Sequence, residues 1–124
     1  MPAPATWLSL CMHRVALEQE RHTRIVVASG ELDAFAAPDL ESAFAEVRGE
    51  QFVVTDLTRV GFMDSTVLGL LVRATRKLAA NGAQVRVVLP AGVGRRIFEI
   101  TALDRVLPIA ATRDAALAEL DGSR

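Results

Sequence analysis

The chain holds a single cysteine, Cys11. No internal disulfide framework can form from it, so packing and hydrogen bonds must hold the fold, and a reducing cytoplasm is the expected compartment. No apolar run approaches the roughly 20 residues that a membrane-spanning helix needs. The N-terminal stretch lacks a basic region followed by a long apolar core, so no signal peptide is expected. Neither sign of charge is in excess, with 15 acidic residues against 14 basic ones. That balance argues against direct nucleic-acid binding, whose footprint is a basic surplus. Lysine is nearly missing: Lys77 stands alone and arginine supplies the other basic side chains.

The chemical signatures of an enzyme are missing too. There is no G-x-S-x-G elbow, no phosphate-binding loop, no G-x-G-x-x-G and no paired Cys/His spacing for a metal. Both histidines, His13 and His22, fall in the first predicted hairpin, far in sequence from the candidate hydroxyls. No catalytic residue, cofactor or metal ligand is therefore expected, and the chain reads as a non-enzyme.

What is present is a globular composition, 51% apolar over 124 residues. A chain of this size most simply forms one domain, burying roughly two thirds of its unfolded surface. Residues 1–11, with two prolines, read as a loosely held arm or an extension, in which Trp7 packs on the domain edge or contacts a partner, and residues 12–124 read as the domain. Residues 14–17 and 23–28 suit strands joined by a polar hairpin connection at 18–22, with Gly30 marking a turn. Pro38 suits the first turn of a helix that carries Leu40, Phe44 and Val47 at helical spacing. Phe52-Val53-Val54 is the continuous apolar run of a strand covered on both faces. A longer helix starts near Asp64 and stops at Asn81-Gly82. A strand at 85–89, a short helix at 93–101, a strand at 106–109 and a helix at 115–120 complete the pattern. The expected fold is α/β: a small mixed, mostly parallel sheet of about five strands with about four helices packed on it.

Three turns after predicted strands, at residues 30–35, 57–64 and 90–94, gather Glu31, Asp33, Asp64, Ser65 and Thr66. Sites in open α/β sheets collect beyond the carboxyl ends of strands. Asp64-Ser65-Thr66 stands where a loop becomes an apolar helix. One reading is a helix cap, since Asp and Ser oxygens accept bonds from free helix N–H groups. The other is a phosphorylation site, since a helix start favours added negative charge. Asp33 has a cap or turn role open beside a functional one, and Asp56 reads as structural, satisfying backbone donors of the following loop. Ser65, Gly69, Arg73 and Arg76 share one helix face. That face is a solvated surface or, because arginine is enriched at interfaces, a partner surface.

Gly30-Glu31-Leu32-Asp33, Asp56-Leu57-Thr58, Phe62-Met63-Asp64-Ser65 and Leu68-Gly69 resemble the bacterial anti-sigma factor antagonists of the STAS superfamily. The segment 90–109, with Arg95-Arg96 and Leu103-Asp104-Arg105-Val106, looks like that family's C-terminal part, and the resemblance spans about residues 14–120. It implies a switch. The unphosphorylated antagonist binds an anti-sigma factor that is often a serine kinase, the kinase phosphorylates the hydroxyl after the Asp, and a phosphatase reverses this. Carried onto this chain, Ser65 is the acceptor, with Thr66 the adjacent hydroxyl. Asp33, Asp64, Ser65, Thr66, Gly69 and Arg73 then form the partner surface. No membrane insertion is expected, and the state expected is a monomer or weak homodimer. The chain departs from the family at Val67, where Gly is common. Val67 either hinders a kinase or enters the core. A constitutive STAS module of a transporter or larger signalling complex, without phosphoswitching, is the alternative. A small-molecule site at the Asp33–Asp64 end is a third reading.

Overall fold

The computed structural model describes residues 12–89 and 107–122. In chain order the elements are β1 (His13–Glu20), β2 (Thr23–Leu32), α1 (Ala37–Glu46), β3 (Phe52–Met63), α2 (Ser65–Ala80), β4 (Gln84–Val88), β5 (Ile109–Ala110) and α3 (Arg113–Asp121). They build one five-stranded sheet in the order β1-β2-β3-β4-β5. The β1–β2 pair is antiparallel and every other pair is parallel. The mixed, mostly parallel α/β sheet expected from the alternating pattern is thus the observed one.

Each face of the sheet carries its own core. Val26, Ala28, Leu32, Val53 and Leu57 pack against Leu40, Phe44 and Val47 of the first helical segment and Val67, Leu70, Leu71 and Leu78 of α2. Ile25, Phe52, Val54, Val88 and Ala110 pack on the other face against Ala116, Leu117 and Leu120 of α3. Right-handed crossovers explain the division, because β2-α1-β3 and β3-α2-β4 progress in one direction and so place both helices on one face. The continuous apolar runs of β2 and β3 exist because both faces of those strands are covered.

Several expected boundaries move. β2 was expected to end at residue 28 and give way to a turn at 30–35, but it continues to Leu32. Gly30 is not a turn residue: it sits in the strand at φ +86°, and a Cβ there would meet the Met12 carbonyl oxygen at 2.1 Å. The neighbouring Glu31 N–H donates to that same oxygen at 2.6 Å. Glycine in a strand marks a close backbone approach of this kind. The expected turn at 57–64 is likewise mostly strand, since β3 runs to Met63. Two register shifts against β2 carry the strand through this polar stretch: Arg59 and Val60 pair with Ser29 and Gly30, and Gly61 is passed over before Phe62 pairs with Glu31. The last strand, expected at 106–109, is Ile109–Ala110, and the last helix starts at Arg113, ahead of the expected 115. α2 keeps its expected limits, with Asp64 as N-cap, Asn81 as C-cap and Gly82 at φ +94° just beyond. Three helices stand among the described residues. The helix expected at 93–101, the Arg95-Arg96 and 103–106 motifs and the arm with Trp7 and Cys11 lie outside them.

Candidate functional site

The end of β3 and the start of α2 are set by a few bonds. Asp64 is extended, at φ −92° and ψ 175°. Its N–H donates to the Leu32 carbonyl at 3.1 Å, which pins the end of β3 to the end of β2. Its Oδ1 accepts from the Val67 N–H at 3.0 Å, and its carbonyl accepts from the Leu68 N–H at 3.1 Å. This is an N-cap, so one of the two readings of Asp64 is realised. Ser65 is then the first helical residue. Its side chain and that of Thr66 are exposed, while Val67 is fully buried and Leu68 nearly so. Val67 therefore enters the core and puts nothing bulky beside the Ser65 hydroxyl.

Asp33 follows β2, and the Leu32–Asp64 bond brings it to the same end of the sheet as Ser65. Its Oδ1 accepts from the Phe35 N–H at 3.0 Å and its carbonyl from the Ala36 N–H at 2.9 Å, which makes it the organiser of the turn into α1. Further along α2, Gly69 is half-buried and Arg73, Arg76 and Lys77 are exposed. Arg73 lies back along the helix, its Nη1 only 3.1 Å from where a Gly69 Cβ would stand. Arg73, Lys77 and Arg48 rim a groove between α1 and α2 whose floor holds Phe44, Leu70, Ala74 and Leu78.

Sequence reasoning missed the apolar residues at this end of the sheet. Phe35 is 85% exposed, Met12 55% and Phe62 49%. Phe62 is the register partner of Glu31, whose N–H binds Met12, so these three form a row across β3, β2 and the start of β1. Exposed aromatic groups of this kind are typical anchors of protein interfaces. The available signal was Phe35 itself, an aromatic residue between a turn-forming Asp and a proline-started helix, with no periodic partner.

The acid expected to be structural has that role. Asp56 is buried, and its Oδ1 accepts from the Thr58 N–H at 2.9 Å and from the Thr58 hydroxyl. Its Oδ2 accepts from Arg113 Nε at 2.9 Å. Arg113 Nη1 also reaches Glu18 at 2.8 Å and Glu20 at 3.4 Å. Burial is the largest single influence on Asp56 and opposes ionisation, but the Thr58 and Arg113 bonds together outweigh it and hold the carboxyl below its usual value. Burial likewise works against the Arg113 charge, and its hydrogen bonds to Glu18 and Asp56 more than compensate, raising its pKa. Of the histidines, His13 is tied to α1 through Asp39, with Nε2 to Oδ2 at 2.7 Å. Among the described residues no cluster of His, Cys, Asp or Glu is arranged to hold a metal ion, and no helix is long and apolar enough to cross a membrane.

Among the described residues, a sheet with one antiparallel edge carries two helices on one face and one on the other, and an exposed serine follows the aspartate that caps the longest helix. The STAS domain family matches residues 14–116, and the chain belongs to that family. An anti-sigma-B factor antagonist of Staphylococcus aureus is 33% identical over 86 residues, which are 68% of this chain and 80% of that protein. Among solved structures, an anti-sigma factor antagonist from Mycobacterium paratuberculosis superposes with a TM-score of 0.78 at 31% identity, over 86% of this chain and 92% of the other. The antagonist SpoIIAA in its unphosphorylated form gives 0.67 at 25% identity, over 88% and 97%. Its phosphorylated form shares the fold, with 0.66 at 24% identity over 86% and 99%. The anti-sigma factor antagonists of this family are regulators and not enzymes.

Proposed function

We propose that this protein is an anti-sigma factor antagonist, binding an anti-sigma factor through the Ser65 end of the molecule and released when a serine kinase phosphorylates Ser65. The observation that carries the reading is the exposed Ser65 hydroxyl on the first helical residue of α2, with the Asp64 side chain engaged in the cap and Val67 buried beneath. Its similarity to antagonists supports the partner class, and the existence of SpoIIAA in both phosphorylation states supports the switch. Asp33, Asp64, Thr66, Gly69 and Arg73 form the partner surface with Ser65, and Phe35 and Phe62 extend it with apolar contacts.

A phosphate adds about −1.5 to −2 charges. At a helix start the chain itself tolerates that charge, because the first N–H groups have no intrahelical acceptor. The partner does not: a surface fitted to a neutral hydroxyl meets repulsion from the phosphate beside Asp64 and must desolvate both. Release thus needs no refolding of the antagonist, and a phosphatase restores binding. The protein acts in the cytoplasm as a monomer or weak homodimer. A constitutive module of a transporter or signalling complex drew its motivation from Val67, and that motivation weakens with Val67 inside the core. The test is affinity capture from cell extract with wild type, Ser65→Ala and Ser65→Asp, with the kinase reaction followed by mass spectrometry. An anti-sigma factor retained by wild type and Ser65→Ala and lost by Ser65→Asp supports the switch. Transporter subunits retained equally by all three would overturn it.

A further inference from the structure

The sheet has a second recess, on the face opposite α1 and α2. It arises from unequal strand lengths. β4 and β5 stop at Val88 and Ala110, and β3 pairs with β4 only from Phe52 to Asp56, while β2 and β3 run on to Leu32 and Met63. The corner between this extension and the start of α3 is an open crevice of about 760 Å³. Its floor is small and apolar, Ala16 and Val27, and its far wall is the stretch from Ala111 to Asp114. The volume lies in the range of about 300–1,000 Å³ typical of small-molecule sites, and the position is the usual one beyond the carboxyl ends of strands.

The chemistry of the crevice is divided. Arg14 pairs with Ser29, and Ser29 with Arg59, so two arginines flank a serine in one row across three strands. Residues three apart on a regular strand point to opposite faces, yet Asp56 and Arg59 both line this crevice. The register shift between Val27 and Ser29 inserts one extra residue into β3 and turns Arg59 to this side. Bulges commonly re-aim a side chain in this way. Both arginines are exposed, and neither makes an ion pair among the described residues. The third guanidinium, Arg113, is committed to Asp56, Glu18 and Glu20. The carboxylates Glu18 and Asp114 lie on the α3 side of the recess, where they can accept hydrogen bonds from a ligand.

We propose that this crevice binds a small phosphorylated polyol, of the sugar-phosphate class. Its phosphate sits between Arg14 and Arg59 with the Ser29 hydroxyl, its carbon skeleton lies over Ala16 and Val27, and its hydroxyls donate to Glu18 and Asp114. Guanidinium pairs suit phosphate because their planar N–H forks bind its oxygens in matched pairs. The acids opposite select against a bare anion and for a ligand with donors. The site does not use Ser65.

The test is calorimetric titration of the full chain with ribose 5-phosphate, glucose 6-phosphate and inorganic phosphate, repeated for Arg14→Gln/Arg59→Gln, for Arg59→Gln alone and for Ser65→Asp. The proposal expects saturable binding of a sugar phosphate at least tenfold tighter than inorganic phosphate. It expects at least a tenfold loss in the arginine variants with an unchanged melting temperature, and unchanged binding in Ser65→Asp. No saturable binding by either sugar phosphate, equal affinity for inorganic phosphate, or binding retained without the two arginines would each overturn it. Because Ser65→Asp tests partner release separately, the two readings can fail independently.

Discussion

Two glycines show how differently one residue type can be used. Gly30 is held at φ +86° with the Met12 carbonyl where a Cβ would be. Gly30→Ala is therefore expected to cost roughly 2 kcal/mol or more, combining left-handed strain with a displaced strand, which urea unfolding will read as a lower midpoint. Gly69 has ordinary helical geometry and meets only the mobile end of Arg73. Gly69→Ala should stabilise α2 by up to about 1 kcal/mol while pushing Arg73 off its present course, so tighter folding with weaker partner binding is the expected pair of outcomes. Val67→Gly should do the reverse, losing roughly 2 kcal/mol or more of buried side chain and helix propensity with partner affinity unchanged. The cap at Asp64 was legible in the sequence because it is local: donor and acceptor stand three residues apart. Gly30 was misread as a turn because what requires it is the carbonyl of Met12, a contact between strands that no local pattern records.

At the level of elements, one arginine gives α3 its ties to both β1 and β3. Arg113 opens the helix and binds Asp56 on β3 and Glu18 and Glu20 on β1. Asp56 has a folded pKa below its unfolded value of about 4. Its contribution to stability is therefore present above that unfolded value and is lost as pH falls through the lower, folded one. Acid titration of wild type should show this loss below about pH 4, and Asp56→Asn should flatten the profile there while lowering stability at neutral pH. Arg113→Ala leaves a buried carboxylate without its cation and should cost roughly 2 kcal/mol, less than a fully buried pair because Arg113 is partly exposed. Faster amide exchange in α3 is the local readout. Of these elements, α2 was readable from its apolar period and its terminal signals. The upper half of β3 was not, because Thr58, Arg59 and Gly61 look like a loop, and only the pairing of Arg59 and Val60 with β2 between two register shifts makes the stretch a strand. Nothing near Asp56 in sequence pointed to Arg113, its partner 57 residues away.

The whole molecule keeps the α1–α2 groove and the arginine-flanked crevice on opposite faces of one sheet. The groove shares Arg73 with the surface proposed for the partner, and the crevice adjoins the start of α3. The mixed, mostly parallel sheet with helices packed on it followed from the alternation of strands and helices, but the strand order, the division of helices between the faces and the crevice became legible only in the fold. Ser65→Asp should leave this architecture intact, since a carboxylate in the first helical turn is favourable by about 0.3–1 kcal/mol. Its melting temperature should match or slightly exceed wild type even as partner binding falls, and a large drop would mean that release works through unfolding.

The last helix is fastened to the first hairpin, by Arg113 to Glu18 across 95 residues and by Asp121 to Arg21 across 100. During synthesis the ribosome must deliver all five strands and the start of α3 before either fastening can form. Until then the sheet face carrying Ile25, Phe52, Val54 and Val88 lacks the α3 side chains that cover it in the finished fold. A growing chain of this protein is thus most in need of a chaperone until α3 has emerged, and stop codons just before α3 should yield aggregates instead of a shortened regulator.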